Sequence, residues 1–157
     1  MSSIQVGSHA PHFTLFDSDK QPHTVPEHGV ITVLAFFPGA FTGVCTKEAC
    51  ALRDGLAEFN ALGARLYGIS IDSPFVLAEF KKQNALTFPL LSDHKKAAIH
   101  AYDILFPNLA NVGYETAKRS VFVVGANGHV AWQWISENPG VEPDYAAVKQ
   151  AVAAAKG

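Results

Sequence analysis

The chain is poor in cysteine and in arginine. Its 157 residues include two cysteines, Cys45 and Cys50, and three arginines, Arg53, Arg65 and Arg119. Two cysteines do not make the disulfide framework of a small secreted domain, so a reactive or transient thiol is the expectation. Chemistry that needs a guanidinium has only three positions to draw on. A charge excess is also lacking: the net charge of −2 gives no electrostatic case for nucleic acid or for an anionic membrane. No apolar run approaches the roughly 18 residues that a membrane helix needs. The segment Met1-Ser2-Ser3-Ile4-Gln5-Val6-Gly7 has neither a basic nor an apolar region, so no signal peptide is expected and the cytoplasm is the expected compartment. The seven histidines are scattered. His9 with His12, and His23 with His28, have no carboxylate or cysteine at a ligand spacing, and no metal is expected on them. Repeats and low-complexity linkers are absent too, which leaves one domain over residues 1–157.

What is there is ordinary globular composition, 48% hydrophobic and 17% charged, enough to bury a core. Phe13–Phe16 and His23–Val25, joined by a polar turn, predict an N-terminal hairpin. Val30–Phe37 is almost wholly apolar, the mark of a central strand covered on both faces. A helical pattern follows Thr42, with Ala49, Leu52, Leu56, Phe59 and Leu62 at three- and four-residue spacing and Gly63 as its stop. Ala64–Asp72 reads as a second buried strand. Ser73-Pro74 opens a helix with Val76, Leu77 and Phe80 on one face, ending at Asn84. Phe88–Leu91 is a short strand, and Ser92-Asp93 caps a brief helix. Asp103–Ala117 is expected to be irregular, and loops of that length are often functional. Ser120–Gly125 and His129–Ile135 flank Ala126-Asn127-Gly128, a hairpin signal, and Tyr145–Lys156 closes the chain as a helix. The order β-β-β-α-β-α-β-α-β-β-α predicts an α/β fold, a mixed sheet with helices on both faces. A thioredoxin-like fold with an N-terminal hairpin extension is compatible with it, as are other α/β folds.

The chemistry concentrates in Pro38-Gly39-Ala40-Phe41-Thr42-Gly43-Val44-Cys45-Thr46-Lys47-Glu48-Ala49-Cys50. A strand empties through a Pro-Gly turn onto a helix start. With Thr42 at the N-cap, Cys45 falls in the first turn, where free N–H groups and the helix dipole favour a thiolate. The Thr42 hydroxyl reaches the same space, and Pro38, with no N–H, shields one side. Lys47 points to solvent, so the missing cation is better sought among the arginines.

Pro38-xxx-Thr42-xx-Cys45 resembles the peroxiredoxin signature at all three positions. The resemblance extends through Gly7-x-x-Ala10-Pro11-x-Phe13, Phe88–Asp93 and Lys118–Val124, nearly the whole chain, and is strongest to the bacterioferritin-comigratory (Q-type) and alkyl hydroperoxide reductase E groups. It implies a thioredoxin-like fold and reduction of hydrogen peroxide or organic hydroperoxides without metal or haem. Cys45 would be the peroxidatic cysteine, oxidised to a sulfenic acid. Thr42 would hydrogen-bond the peroxide, Pro38 would shield the sulfur, and Arg119 would stabilise the thiolate and the developing oxyanion. Glu48 would pair with Arg119 or help to bind substrate. Phe41, with residues of Asp103–Ala117, would form an apolar rim suited to organic peroxides.

In the bacterioferritin-comigratory group a resolving cysteine often lies five residues after the first, as Cys50 does here. On a helix, residues i and i+5 have Cα atoms about 8.7 Å apart, and a disulfide tolerates roughly 4.4–6.8 Å. The expectation is therefore that the first turns unwind to form Cys45–Cys50, which thioredoxin or a similar dithiol then reduces. The one-cysteine alternative has the sulfenic acid meet an external thiol directly, with Cys50 a helix core residue. A thiol–disulfide oxidoreductase or redox-signalling adaptor with little peroxidase activity is the competing function, although such exchangers typically carry Cys-x-x-Cys. A homodimer is a modest expectation.

Overall fold

The structure is a computed structural model and describes residues 4–156; Met1–Ser3, part of the segment read for a signal peptide, and Gly157 lie outside the described residues. Among the described residues, strands β1 (Phe13–Asp17), β2 (Pro22–Val25), β3 (Thr32–Phe36), β4 (Arg65–Ser70), β5 (Leu90–Ser92), β8 (Ser120–Val124) and β9 (Val130–Ile135) form a seven-stranded sheet in the order β2-β1-β5-β4-β3-β8-β9. β3, β4 and β5 run parallel, and the remaining pairings are antiparallel. β3 is the centre, with Phe36 opposite Ile69 of β4 on one side and Ser120 of β8 on the other. Its five residues are all buried, because helices cover both faces.

Period-two alternation sorts the apolar residues into two layers. Val33, Ala35 and Phe37 face a layer that holds Ala49 and Leu52 of α1 (Gly43–Asp54), Phe59 of α2 (Leu56–Ala61), Leu77 and Phe80 of α3 (Pro74–Gln83), and Val148 and Val152 of α5 (Tyr145–Lys156). Leu34 and Phe36 face the other layer, with Ala98 and Ile99 of α4 (Ala97–Ala101) and Tyr102. Truncating a fully buried aromatic such as Phe80 to alanine would remove about 3–5 kcal/mol.

Three readings of the sequence change. The helix after Thr42 is two helices: Gly55 separates α1 from α2, and Gly63, at φ +76°, follows the second. The periodicity ran through because both helices bury residues against the same layer. Val76 is exposed on α3 while Leu77 and Phe80 are buried. The stretch expected to be irregular folds as a hairpin, β6 (Leu105–Leu109) with β7 (Tyr114–Ala117), bulged between Phe106 and Leu109. Pro107 and the polar tip masked it. The tip turns through Ala110 and Asn111 at φ +59° and Gly113 at +73°, and Asn108 Oδ1 accepts from the Gly113 amide.

The other boundaries follow their signals. Ser73 caps α3 by accepting from the Val76 amide, with Pro74 in the first turn and Asn84 at the end. Asp93 accepts from the Ala98 and Ile99 amides and so satisfies the start of α4. No described helix is long and apolar enough to cross a membrane.

Candidate active site

The site lies where β3 runs out. After Phe36, the Phe37 amide still donates to Ile69 of β4, and the Ala40 amide donates to Asp72 Oδ2 at 2.7 Å. Ser70 Oγ donates to the same carboxylate oxygen. Because β3 and β4 are parallel and in register, the end of β4 arrives beside the Pro38–Thr42 turn, and Asp72 pins it. Phe41 completes the reversal at φ +67°, a conformation that bulky residues rarely adopt. Its ring stacks edge-on against Phe80, centroids 5.3 Å apart. Thr42 follows as the N-cap of α1, with extended backbone.

Cys45 is the third residue of α1 and is 1% exposed. Its sulfur accepts from Arg119 Nη2 at 3.1 Å. The same guanidinium donates through Nη1 to Glu48 Oε1 at 2.6 Å, and through Nε and Nη2 to the Pro139 carbonyl at 3.2 and 2.8 Å. Arg119 stands immediately before β8 and is itself 1% exposed. The antiparallel register that sets Ser120 opposite Phe36 brings it to the end of β3. A residue 74 positions away thus meets the first turn of α1.

Electrostatics favour the charged guanidinium and disfavour the buried carboxylate beside it. Burial pulls the Arg119 pKa down, but Glu48 and Cys45 outweigh it and the net direction is up. Arg119 is a cation. Burial pushes the Glu48 carboxyl up to about 7, and Arg119 pulls the other way. Among the described residues Glu48 Oε2 has no hydrogen-bond partner, which is consistent with a carboxyl that desolvation penalises.

Thr42 presents its hydroxyl near the helix start, donating to the Gly39 carbonyl at 2.9 Å rather than capping the helix. A groove of about 320 Å³ opens at this point, walled by Pro38, Thr42, Gly43, Val44, Leu109, Ala110, Arg119, Pro139 and Gly140. It is mostly apolar, and Arg119 connects it to the sulfur. Two expectations about this rim are corrected. Phe41 is half exposed but turned onto Phe80, outside the groove's wall. Glu48 is buried behind Arg119 rather than at the opening, so it does not line a substrate channel.

Cys50 lies on the same helix, half-buried, and both thiols are free. Its sulfur is 3.9 Å from Asn84 Oδ1. The unbroken helix from Gly43 to Asp54 carries both cysteines, so the geometric bar to a direct bridge holds in this state. Lys47 is exposed. His9 stacks against His12 and His129, centroids 5.7 and 5.4 Å away. Among the described residues, no group of three or more His, Cys, Asp and Glu side chains is disposed to hold a metal ion.

Sequence reasoning missed the Pro139 carbonyl and Asp72. The first is a backbone atom and has no residue-type signal. Asp72 was legible only as a residue just past a strand parallel to β3. Leu109 and Ala110, from the Asp103–Ala117 stretch expected at the rim, line the groove.

Comparison with known proteins agrees with this geometry. Residues 6–133 match the AhpC/TSA family. A Mycobacterium tuberculosis protein named as a peroxiredoxin is 36% identical over 126 residues, covering 79% of this chain and 80% of its own length. Peroxiredoxin Bcp of Escherichia coli is 31% identical over 132 residues, covering 83% of this chain and 85% of that protein. The crystal structure of peroxidoxin BcpB from Mycobacterium tuberculosis superposes with a TM-score of 0.81 at 29% identity, over 98% of this chain and 97% of that one. The mixed sheet and its helices are therefore the thioredoxin-like fold of peroxiredoxins. On these grounds the chain belongs to the AhpC/TSA family, as a peroxiredoxin of the bacterioferritin-comigratory group and a thiol-dependent peroxidase.

Proposed function

We propose that the enzyme reduces hydrogen peroxide and organic hydroperoxides through Cys45, with Thr42 and Arg119 as the groups that stabilise the reaction and Cys50 as the resolving thiol. The observation that carries this reading is the 3.1 Å contact between Arg119 Nη2 and the Cys45 sulfur, in a first turn where backbone amides also favour an anion. The Cys45 thiolate attacks one peroxide oxygen in line with the O–O bond. An S–O bond forms, the O–O bond breaks, and the leaving oxygen takes a proton from solvent and departs as water or an alcohol. The sulfur loses two electrons and becomes a sulfenic acid. Negative charge shifts from sulfur to oxygen along this path. The Arg119 guanidinium, fixed beside the sulfur, stabilises that shift without reorganising, and the Thr42 hydroxyl joins it by rotating away from the Gly39 carbonyl. Pro38 walls the groove without offering a competing N–H. Glu48 holds Arg119 in place from behind.

The Cys50 sulfur then attacks the sulfenic sulfur, forming an S–S bond and releasing water. Thioredoxin or a similar cytoplasmic dithiol returns both thiols by two exchanges and leaves as a disulfide. Burial argues against the protein–thiol exchange reading: a sulfur 1% exposed cannot meet a partner's disulfide until the helix opens.

Stopped-flow mixing of the reduced enzyme with peroxide tests the first step. Oxidation at Cys45 many orders faster than free cysteine is expected, and a rate no faster than free cysteine overturns the reading. Mass spectrometry of the oxidised wild type should find Cys45–Cys50, and Cys50→Ser should stop at the sulfenic acid. Normal thioredoxin turnover by Cys50→Ser would remove Cys50 from the cycle. Comparing turnover with thioredoxin, glutaredoxin and small thiols identifies the reductant.

A further inference from the structure

The far half of α1 is tied to the end of α3 by a junction that the peroxide chemistry does not use. Arg53 Nη1 donates to the main-chain carbonyl of Asn84 at 2.6 Å, and Arg53 Nε donates to Asp54 Oδ1 at 3.0 Å. Asn84 is the C-cap of α3, and its side-chain nitrogen donates to the Phe80 carbonyl at 3.0 Å, so the residue is a fixed post. Its other side-chain atom, Oδ1, lies 3.9 Å from the Cys50 sulfur. A cation at the carbonyl end of a helix is favourably placed in addition to the hydrogen bond.

We propose that Arg53 and Asn84 form a clasp that sets how readily α1 opens, and thereby the rate at which Cys50 reaches oxidised Cys45. The proposal rests on the reading of Cys50 as the resolving thiol. In the bridging step Cys45–SOH and Cys50–SH give Cys45–S–S–Cys50 and water, and the Cα atoms must close from about 8.7 Å to roughly 4.4–6.8 Å. The residues between them must leave helical geometry, and Cys50 must come away from Asn84. Arg53 is three residues past Cys50, on the same side of the helix. Opening that reaches Cys50's own turn therefore strains the Arg53–Asn84 bond. While that bond holds, the opening stops short of Arg53.

The consequence is selective. With the closed helix in large excess, loosening the clasp multiplies the open population but hardly changes the closed one. Peroxide attack needs the closed first turn, and disulfide formation needs the open one. Arg53 is thus a positioning residue for the second step and does not touch the reacting atoms of the first.

Rapid acid quench with thiol alkylation and mass spectrometry gives the disulfide rate, and stopped-flow gives the Cys45 oxidation rate. Arg53→Met is expected to form Cys45–Cys50 about five-fold faster than wild type, the effect of a partly exposed charged hydrogen bond, with an oxidation rate within a factor of about 1.5. Arg53→Lys, which keeps a cation and a donor, should fall between the two. A disulfide rate in Arg53→Met equal to or slower than wild type overturns the clasp, as does a faster disulfide with an oxidation rate lowered in proportion, the mark of general destabilisation. Absence of Cys45–Cys50 in the oxidised wild type overturns the resolving role itself and the clasp with it, so the two failures are told apart.

Discussion

Arg119 Nη2 lies 3.1 Å from the Cys45 sulfur although the two residues belong to different layers of the fold, one before β8 and one in α1. Three of its donor nitrogens are committed to partners that hold the guanidinium still: Glu48 Oε1 on Nη1, and the Pro139 carbonyl on Nε and Nη2. A lysine would offer a point charge without the fork that reaches Cys45, Glu48 and Pro139 together. Arg119→Met keeps bulk and removes the charge. The expected result is a second-order rate of Cys45 oxidation lower by about 100-fold or more, the scale of losing one oxyanion donor. Arg119→Lys should recover little of it. Stopped-flow with hydrogen peroxide reads both, and a Met variant within about three-fold of wild type would show the contact to be structural only.

Thr42 offers a contrast, because its hydroxyl is not tied to a charged partner. It donates to the Gly39 carbonyl at rest and needs only a rotation to turn toward a bound peroxide. Thr42→Val preserves the shape and deletes the hydroxyl, and an oxidation rate lower by about 100-fold is expected. Thr42→Ser should retain most of the activity. Since Thr42 makes no side-chain cap, the melting temperature of Thr42→Val should stay close to wild type. A large drop in stability with unchanged oxidation would assign the hydroxyl to the turn instead.

The chemistry at Cys45 was legible because it is local. Pro38, Thr42 and Cys45 are adjacent in sequence, and a helix start after a buried strand fixes how they meet. The central strand and the closing helix were legible for the same reason, since each carries a pattern longer than its own boundary error. What escaped is non-local or carried by the backbone. The Gly55 break was hidden because α1 and α2 bury residues against one layer, so Leu52, Leu56 and Phe59 read as continuous. The β6–β7 hairpin was hidden by Pro107 and by three left-handed residues at its tip, which signal a loop but not the strands around it. The pairing of Glu48 with Arg119 was expected from the resemblance and is present, but the burial of Glu48 had no signal in the sequence. That burial follows from where Arg119 arrives, which only the sheet register decides.

Glu48 makes the stability depend on pH in a direction opposite to most carboxylates. Burial holds its pKa at about 7, above the ordinary 4.5, so the folded state binds its proton more tightly than the unfolded state. The stabilising contribution is complete below about pH 4.5 and is lost as the pH rises through about 7. Glu48→Gln is neutral throughout and serves as the reference, in a Cys45→Ser background that removes the thiol. The parent's unfolding free energy relative to Glu48→Gln should fall between about pH 4.5 and 7, by on the order of 3 kcal/mol if the full shift is realised. Urea denaturation at several pH values across that window reads it. A difference that is flat or that rises with pH would mean that Arg119 keeps Glu48 ionised throughout.

Leu109 lines the groove together with Arg119, and an organic hydroperoxide is expected to use it as an apolar contact. The β6–β7 hairpin carries it and Ala110 to the tip that lines the groove with Pro38 and Val44, so the tail of an organic hydroperoxide would lie against apolar side chains while its O–O bond approaches Cys45. Hydrogen peroxide has no tail to place there. Leu109→Ser removes apolar contact without touching Arg119, Thr42 or the helix start. Losing contact with one such side chain is worth about 1–1.5 kcal/mol, or roughly ten-fold. The rate with cumene hydroperoxide is therefore expected to fall about ten-fold while the rate with hydrogen peroxide stays near wild type. Equal losses on both substrates would mean that Leu109 supports the hairpin rather than the substrate. No loss on either would mean that the organic tail leaves by another wall of the groove.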